Sequence, residues 1–338
     1  MGITVLSLFD GISCGKVALD RAGIKIKKYY ASEIDKNTIT ISNNNHKDII
    51  QLGDIKNINE DVIKQIGKID LLLAGSPCQG FSRAGKGLNF EDPRSKLFFN
   101  FVDILNIVKK YNPNVKFLLE NVHMKKEWIE VINNYLEVNP IDINSKLIIP
   151  QNRPRLYWTN IKFKPIQDKN IKLIDILEDV KIDYVEHEGI KICKTVSEDS
   201  RKLISNINGK IRIKQATKKG YIVASNGDGV NLSFPLSKSR RGRVLKEKIS
   251  CLDTQCNICV CHNGYIRRLT INEMEKLQTL PLGYTQGVSD RARIKAIGNG
   301  WTVDIIAHIL KGLIENNERN FEIVKLGNIE VEQFKWVI

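Results

Sequence analysis

Along the first 161 residues, short apolar runs alternate with amphipathic stretches. "ITVLSLF" (3–9) is β-branched and short, so it predicts a strand. "CGKVALDRAG" (14–23) follows with helical character and stops at Gly23. "KKYYAS" (27–32) predicts a second strand, "KNTITISNNN" (36–45) a helix fraying into asparagines, and Ile50–Leu52 a short third strand. "IDLLLAG" (69–75) and "VKFLLEN" (115–121) read as strands four and five, with "NSKLIIP" (144–150) and "LYWTNI" (156–161) after them. Strands alternating with helices predict βαβ units: an α/β fold with a parallel sheet and helices on both faces.

Between strands four and five, "SKLFFNFVDILNIVKK" (95–110) carries an apolar stripe of Leu97, Phe98, Phe101, Ile104, Leu105 and Val108, the spacing of a helix with one buried face. Phe99 lies off that stripe, among Asp103, Asn106 and Lys110, and should be exposed unless something covers it. From about 165 to 265 the alternation is lost, and "SNGDGVN" and "SKSRRGRVLKEK" read as loops, the latter basic. "RRLTINEMEKL" (267–277) restores helix, with Thr270 as N-cap and Glu273 completing a capping box. "VDIIAHILKGLIENN" (303–317) is a further amphipathic helix. The expected organisation is a first, sheet-forming domain over 1–164, an insert over 165–265, a return to the first domain over 266–320, and a tail over 321–338 without a clear pattern.

The length of 338 residues fits one large domain with an insert. No basic-plus-apolar leader opens the chain and no apolar run approaches the roughly 18 residues of a membrane span, which predicts a soluble intracellular protein. Seven cysteines, an odd number, suit free thiols in a reducing compartment. The net charge of +14, from 52 basic and 38 acidic residues, has two readings: a polyanionic partner such as nucleic acid, or solubility in a chain rich in lysine, asparagine and isoleucine.

Ligands of an open parallel sheet bind beyond the carboxyl ends of its strands. Reactive residues fall at all five: "FDGISCG" (9–15), Glu33, Asp54, Pro77-Cys78-Gln79, and Glu120-Asn121. Gly11 and Gly15 permit a tight turn and close approach to a ligand. Glu33 ends the second strand, where an acid accepts ribose hydroxyls, so a nucleoside cofactor is expected; the incomplete G-x-G-x-x-G argues against a dinucleotide. Cys78 is either an inert core thiol or a nucleophile presented by a proline-stiffened loop. "QNRPR" (151–155) offers Arg153 and Arg155 as the positive charge such a thiol needs. Glu120, ending an apolar strand, is a candidate acid, and a salt bridge from it to one of those arginines is equally compatible. Cys251, Cys256, Cys259, Cys261 and His262 are spaced like a metal cluster, but they also alternate as a strand with Cys259 and Cys261 on one face; the strand reading is retained, with no metal expected.

"PCQ" (77–79), "ENV" (120–122), "QNRPR" (151–155), "RRLT" (267–270) and "GNGWTV" (298–303) occur in this order after "FDGISCG". The set resembles the DNA (cytosine-5)-methyltransferase family and spans residues 5 to 310. Within that family "LSLFDGI", "YYASEI", "GSPC", "LFFNF" and "GNGWTV" resemble the catalytic domains of the animal de novo enzymes. Without an N-terminal chromatin-reading region, the chain looks like a stand-alone prokaryotic or viral relative, cytoplasmic and nucleoid-associated. The resemblance implies a Rossmann-like S-adenosylmethionine-dependent methyltransferase sheet, with 165–265 as a target-recognition region for double-stranded DNA. It implies that Cys78 attacks C6 of cytosine on a flipped-out base, that Glu120 protonates N3, that Arg153 and Arg155 contact base and phosphate, and that Asn121 fixes the loop. S-adenosylmethionine would lie along Phe9, Asp10, Gly11, Ile12, Ser13 and Cys14, with Glu33 on the ribose and Ile34 against the adenine. Asp54, Ile55 and Pro77 would sit at its edge, and Asn299, Gly300 and Trp301 would close the pocket. DNA contacts would come from Gln79, Ser82, Gln151, Arg240, Arg241 and Arg243. The helix carrying Phe99 corresponds to a subunit interface of the de novo enzymes, which implies a homo-oligomer. Rival readings are an RNA (tRNA) cytosine-5 methyltransferase on the same scaffold, an inactive DNA-binding regulator, and a nicotinamide-dependent oxidoreductase.

Overall fold

A computed structural model describes residues 2–76, 96–254 and 258–315, and the backbone of 321–326 and 329–334. The chain runs β1 (Ile3–Leu8), α1 (Cys14–Arg21), β2 (Ile26–Ser32), α2 (Lys36–Asn45), β3 (Ile49–Gln51), α3 (Glu60–Ile66), β4 (Leu71–Gly75), α4 (Lys96–Tyr111), β5 (Lys116–Asn121), α5 (Lys126–Leu136), β6 (Ile141–Asn144), β7 (Gln151–Asn152) and β8 (Pro154–Thr159). Seven of these strands form one sheet in the order β3-β2-β1-β4-β5-β8-β6. β1 to β5 are parallel, as expected, whereas β8 runs antiparallel to both β5 and β6.

Period-2 alternation puts apolar side chains on both faces of this sheet. Val5, Leu71 and Leu73 pack with α1, with Ile41 of α2 and with the C-terminal helices, while Leu6, Leu8, Leu72 and Ala74 pack with α3, α4 and α5. Leu71, Leu72 and Leu73 are each fully buried, worth about 1.5–3 kcal/mol apiece. The stripe of α4 faces the second core, and Phe98, Phe101, Ile104, Leu105 and Val108 are all buried. Phe99 is not bare: the Tyr135 ring covers it in edge contact, 5.4 Å between centroids.

Beyond the sheet come β9 (Tyr184–His187), β10 (Ile190–Cys193), α6 (Glu198–Arg201), β11 (Ile204–Ile207), β12 (Lys210–Lys214), β13 (Tyr221–Ala224), β14 (Asp228–Asn231), β15 (Arg243–Leu245), β16 (Ile249–Ser250), β17 (Ile258–His262) and β18 (Tyr265–Arg268). They form a six-stranded sheet β15-β14-β17-β18-β10-β9 and a three-stranded sheet β11-β12-β13, while β16 pairs with β7. β17 alternates as the sequence suggests: Cys259 and Cys261 face the core of this region, Ile258 and Val260 the core under α1. Among the described residues no group of three or more His, Cys, Asp and Glu is arranged to hold a metal; Cys256 lies outside them. The chain returns through α7 (Ile271–Leu277), α8 (Asp290–Asn299) and α9 (Val303–Glu315), and β19 (Phe321–Leu326) pairs antiparallel with β20 (Ile329–Phe334). The capping box of α7 is present: Glu273 N donates to Thr270 Oγ1 at 3.1 Å and Thr270 N to Glu273 Oε2 at 2.8 Å. No helix among the described residues is long and apolar enough to cross a membrane.

Three segments differ from their sequence reading. "SKSRRGRVLKEK" is not wholly loop: 243–245 form β15, paired antiparallel with β14. "NSKLIIP" is not a strand: β6 ends at Asn144, whose carboxamide oxygen accepts from Lys146 N and Arg153 N, both at 3.0 Å, and turns the chain into a short 3₁₀ helix. "SNGDGVN" is not wholly loop: 228–231 form β14, with Val230 fully buried and Asp228 held by Lys246 at 2.6 Å. Its glycines hide the alternation.

Candidate active site

The sheet order reverses between β1 and β4, and the crevice at their carboxyl ends is where an open α/β sheet takes a ligand. The turn after β1 places Phe9, Gly11 and Ser13 at φ of 56°, 58° and 60°. Such left-handed residues, unusual outside glycine, mark a functional turn held by its surroundings. Its outer anchor is Glu33, whose Oε2 accepts Gly11 N at 2.9 Å and whose Oε1 accepts Ile34 N and Asp35 N at 2.7 and 2.9 Å. Its inner anchor is Asp10, which takes hydrogen bonds from the hydroxyls of Ser13 and Tyr29. Burial pushes the Asp10 carboxyl up to about 6, against those hydrogen bonds.

The side chains of Ile12, Ser13 and Cys14 are buried, so this turn offers a ligand mainly backbone. Burial raises the Cys14 thiol to about 12, leaving it inert. Ile34, by contrast, is 69% exposed, a bare apolar surface beside Glu33. Asp54 Oδ1 caps Lys56 N at 3.0 Å, and Ile55 is a core residue.

At the end of β5, Glu120 is 8% exposed. Its Oε1 pairs with Arg155 Nε at 2.8 Å, and its Oε2 accepts Trp301 Nε1 at 3.1 Å. The salt bridge anticipated from the sequence is therefore made by Arg155. The antiparallel register of β8 on β5, with Glu120 opposite Tyr157, brings that arginine to the same edge. Asn121 reaches across to β4, donating from Nδ2 to Ser76 Oγ at 2.9 Å, and so ties the start of the segment that leads to Cys78. Trp301 fits because β4 ends in glycine: a Cβ on Gly75 would stand 2.8 Å from the indole nitrogen.

Arg153 does not face the crevice with Arg155. It is 3% exposed and donates to the carbonyls of Leu252, Gly298 and Gly300, the last at 2.8 Å, and to Cys251 Sγ at 3.2 Å. Gln151 has no surface to offer DNA, contrary to its expected role: fully buried, it braces Leu277 O at 2.7 Å and Leu252 N at 3.0 Å. Pro77, Cys78, Gln79 and Ser82 lie outside the described residues.

The family model of C-5 cytosine-specific DNA methylases matches residues 3–315. The chain belongs to that family. The methylase is 30% identical to the type II methyltransferase M1.ScrFI of Lactococcus lactis subsp. cremoris, over 94% of this chain and 79% of that one. It is 29% identical to the type II methyltransferase M.HpaII of Haemophilus parainfluenzae, over 96% and 90%. The fold is shared with the Entamoeba histolytica methyltransferase EhMeth, at a TM-score of 0.62 and 19% identity, over 94% and 99% of the two chains. The enzyme is thus a DNA (cytosine-5)-methyltransferase.

On the methylase surface, Arg240 and Arg243 are exposed and Arg241 half-buried, in and beside the turn before β15. The Arg240 guanidinium stacks 4.4 Å from the Phe234 ring centre, and Phe234 and Leu236 are 56% and 81% exposed. Asn299 is exposed at the end of α8, and Gly300 follows it against Cys14. Sequence reasoning assigned Trp301 to the cofactor side and missed its N–H on Glu120. It also missed Tyr29, Ser76 and Cys251 as neighbours of the site. No periodicity signals such contacts; they arise from the register of strands far apart in sequence.

Proposed function

We propose that the enzyme transfers a methyl group from S-adenosylmethionine to C5 of cytosine in duplex DNA, through a covalent bond between Cys78 and C6 of a base turned out of the helix. The donor set fits the methyl donor: Glu33 suits a ribose, exposed Ile34 an adenine face, and the Phe9–Ser13 turn with Asp10 the amino-acid end, with Asn299, Gly300 and Trp301 closing the far side. When bound, it supplies the electrophilic sulfonium methyl that C5 takes.

The protein's part is to make C5 nucleophilic. The Cys78 thiolate forms a bond to C6, and the displaced electron pair builds up at C5 while N3 takes a proton from Glu120. After methylation C5 loses its proton, the C6–sulfur bond breaks, and the ring is restored. Arg155 and Trp301 orient Glu120 toward the base. Arg153 acts by holding the 298–300 backbone, not by touching DNA. Asn121 steadies the root of the Cys78 segment through Ser76. A stacked base is out of reach of such a site, so it must be extruded, at a cost of a few kcal/mol that backbone contacts offset. Arg240, Arg241 and Arg243, with Gln79 and Ser82, supply those contacts, and residues 165–265 read the target sequence.

The observation that carries this reading is the clamp on Glu120 by Arg155 and Trp301, at the edge where β4 leads toward Cys78. The test is methyl transfer from radiolabelled S-adenosylmethionine into duplex DNA and, separately, transfer RNA. Label in 5-methyldeoxycytidine of DNA is expected; label in tRNA alone would sink the DNA assignment.

A further inference from the structure

The parallel pairing of β7 and β16 sets Ile249 against Gln151 and Ser250 against Asn152. One residue further, Cys251 comes alongside Arg153. Its Sγ accepts from Arg153 Nη1 at 3.2 Å and lies 3.6 Å from Arg155 Nη2. Both arginines lead to Glu120. Arg155 Nε reaches Glu120 Oε1 at 2.8 Å, and its Nη1 is fixed on Pro154 O at 2.9 Å. Arg153 Nη2 holds Gly300 O at 2.8 Å, and the next residue, Trp301, donates to Glu120 Oε2. The sulfur therefore sits at the root of both contacts that orient the carboxylate.

Cys251 also differs chemically from the other described thiols near a core. Burial, with a nearby carboxylate in each case, pushes Cys14 up to about 12 and Cys261 up to about 11. Burial would raise Cys251 too, but the guanidinium groups of Arg153 and Arg155 outweigh it and bring the thiol below its ordinary value.

The proposed chemistry needs Glu120 held toward N3, and Arg155 and Trp301 set that orientation. We propose that Cys251 is a positioning residue for Glu120: its sulfur fixes the guanidinium groups of Arg153 and Arg155, and through them the Arg155 and Trp301 contacts that orient the carboxylate. This rests on the role of Glu120 set out above.

The test compares full-length wild type, Cys251→Ala, Cys251→Ser and Glu120→Gln by steady-state kinetics on duplex DNA, with thermal melting alongside. Cys251→Ala should lower kcat about tenfold, a fraction of the full general-acid effect, with KM for DNA and S-adenosylmethionine little changed. Cys251→Ser keeps an acceptor at the same place, so it should recover much of kcat. A wild-type kcat in Cys251→Ala, beside an inactive Glu120→Gln, overturns this proposal alone. So does a loss of kcat that only tracks melting temperature, or one that Cys251→Ser fails to recover. Full activity in Glu120→Gln overturns the role of Glu120 and this proposal with it.

Discussion

Arg155 Nε stands 2.8 Å from Glu120 Oε1, and the two side chains are only 13% and 11% exposed. At that depth neither charge is well served by water, so each depends on the other. Removing one partner of such a pair costs about 3–5 kcal/mol, because the survivor is left buried and alone. Arg155→Ala should show that loss in chemical denaturation. Glu120→Gln keeps shape and packing, so it should fold, bind DNA and lose about 10²–10⁴-fold in kcat.

Trp301 depends on Gly75. A methyl group at position 75 would meet the indole nitrogen at 2.8 Å and its ring carbons at 3.2 Å. Gly75→Ala should therefore cost about 1–3 kcal/mol of stability and displace the N–H from Glu120. Trp301→Phe removes the N–H and keeps most of the ring. Its kcat should fall while melting temperature stays close to wild type, as calorimetry and turnover would show.

Glu33 holds three backbone N–H groups, one of them from the turn after β1. Charged hydrogen bonds are worth about 1.5–3 kcal/mol. Glu33→Ala should weaken S-adenosylmethionine binding by about 10–100-fold in calorimetric titration, with the affinity for duplex DNA unchanged.

Asp10 predicts a pH signature. Its folded pKa, about 6, lies above the ordinary 3.8 because burial disfavours the charge. The folded state thus binds its proton more tightly than the unfolded state, and stability from this group is full below about pH 3.8 and lost as pH rises through about 6. Asp10→Asn lacks the term. The melting temperature of wild type relative to Asp10→Asn should rise as pH falls from 7 to 4, by the equivalent of at most about 3 kcal/mol. A difference independent of pH would count against a raised Asp10.

The parallel half of the sheet was legible because β-branched and leucine-rich runs of five to seven residues have no other stable use between helices. The capping box at Thr270 and Glu273 and the stripe of α4 were legible for the same reason: they are local. Glu120 could be picked out as an acid ending an apolar strand. Which arginine meets it could not, since that depends on Arg153 lying just before β8 and Arg155 within it, opposite the end of β5. Gln151 reads as polar and available, yet tertiary packing buries it against Leu277 and Leu252. Cys251 reads as one of a cluster of thiols, and only the pairing of β16 with β7 separates it from the others.

The most direct measurement is a denaturing gel of the enzyme incubated with S-adenosylmethionine and duplex DNA containing 5-fluorocytosine. Fluorine at C5 cannot leave as a proton, so the bond from Cys78 to C6 should persist and give a slow-migrating, denaturation-resistant adduct. Cys78→Ala should give none. An adduct of equal yield from Cys78→Ala, or no adduct from an active wild type, would contradict a covalent mechanism through Cys78.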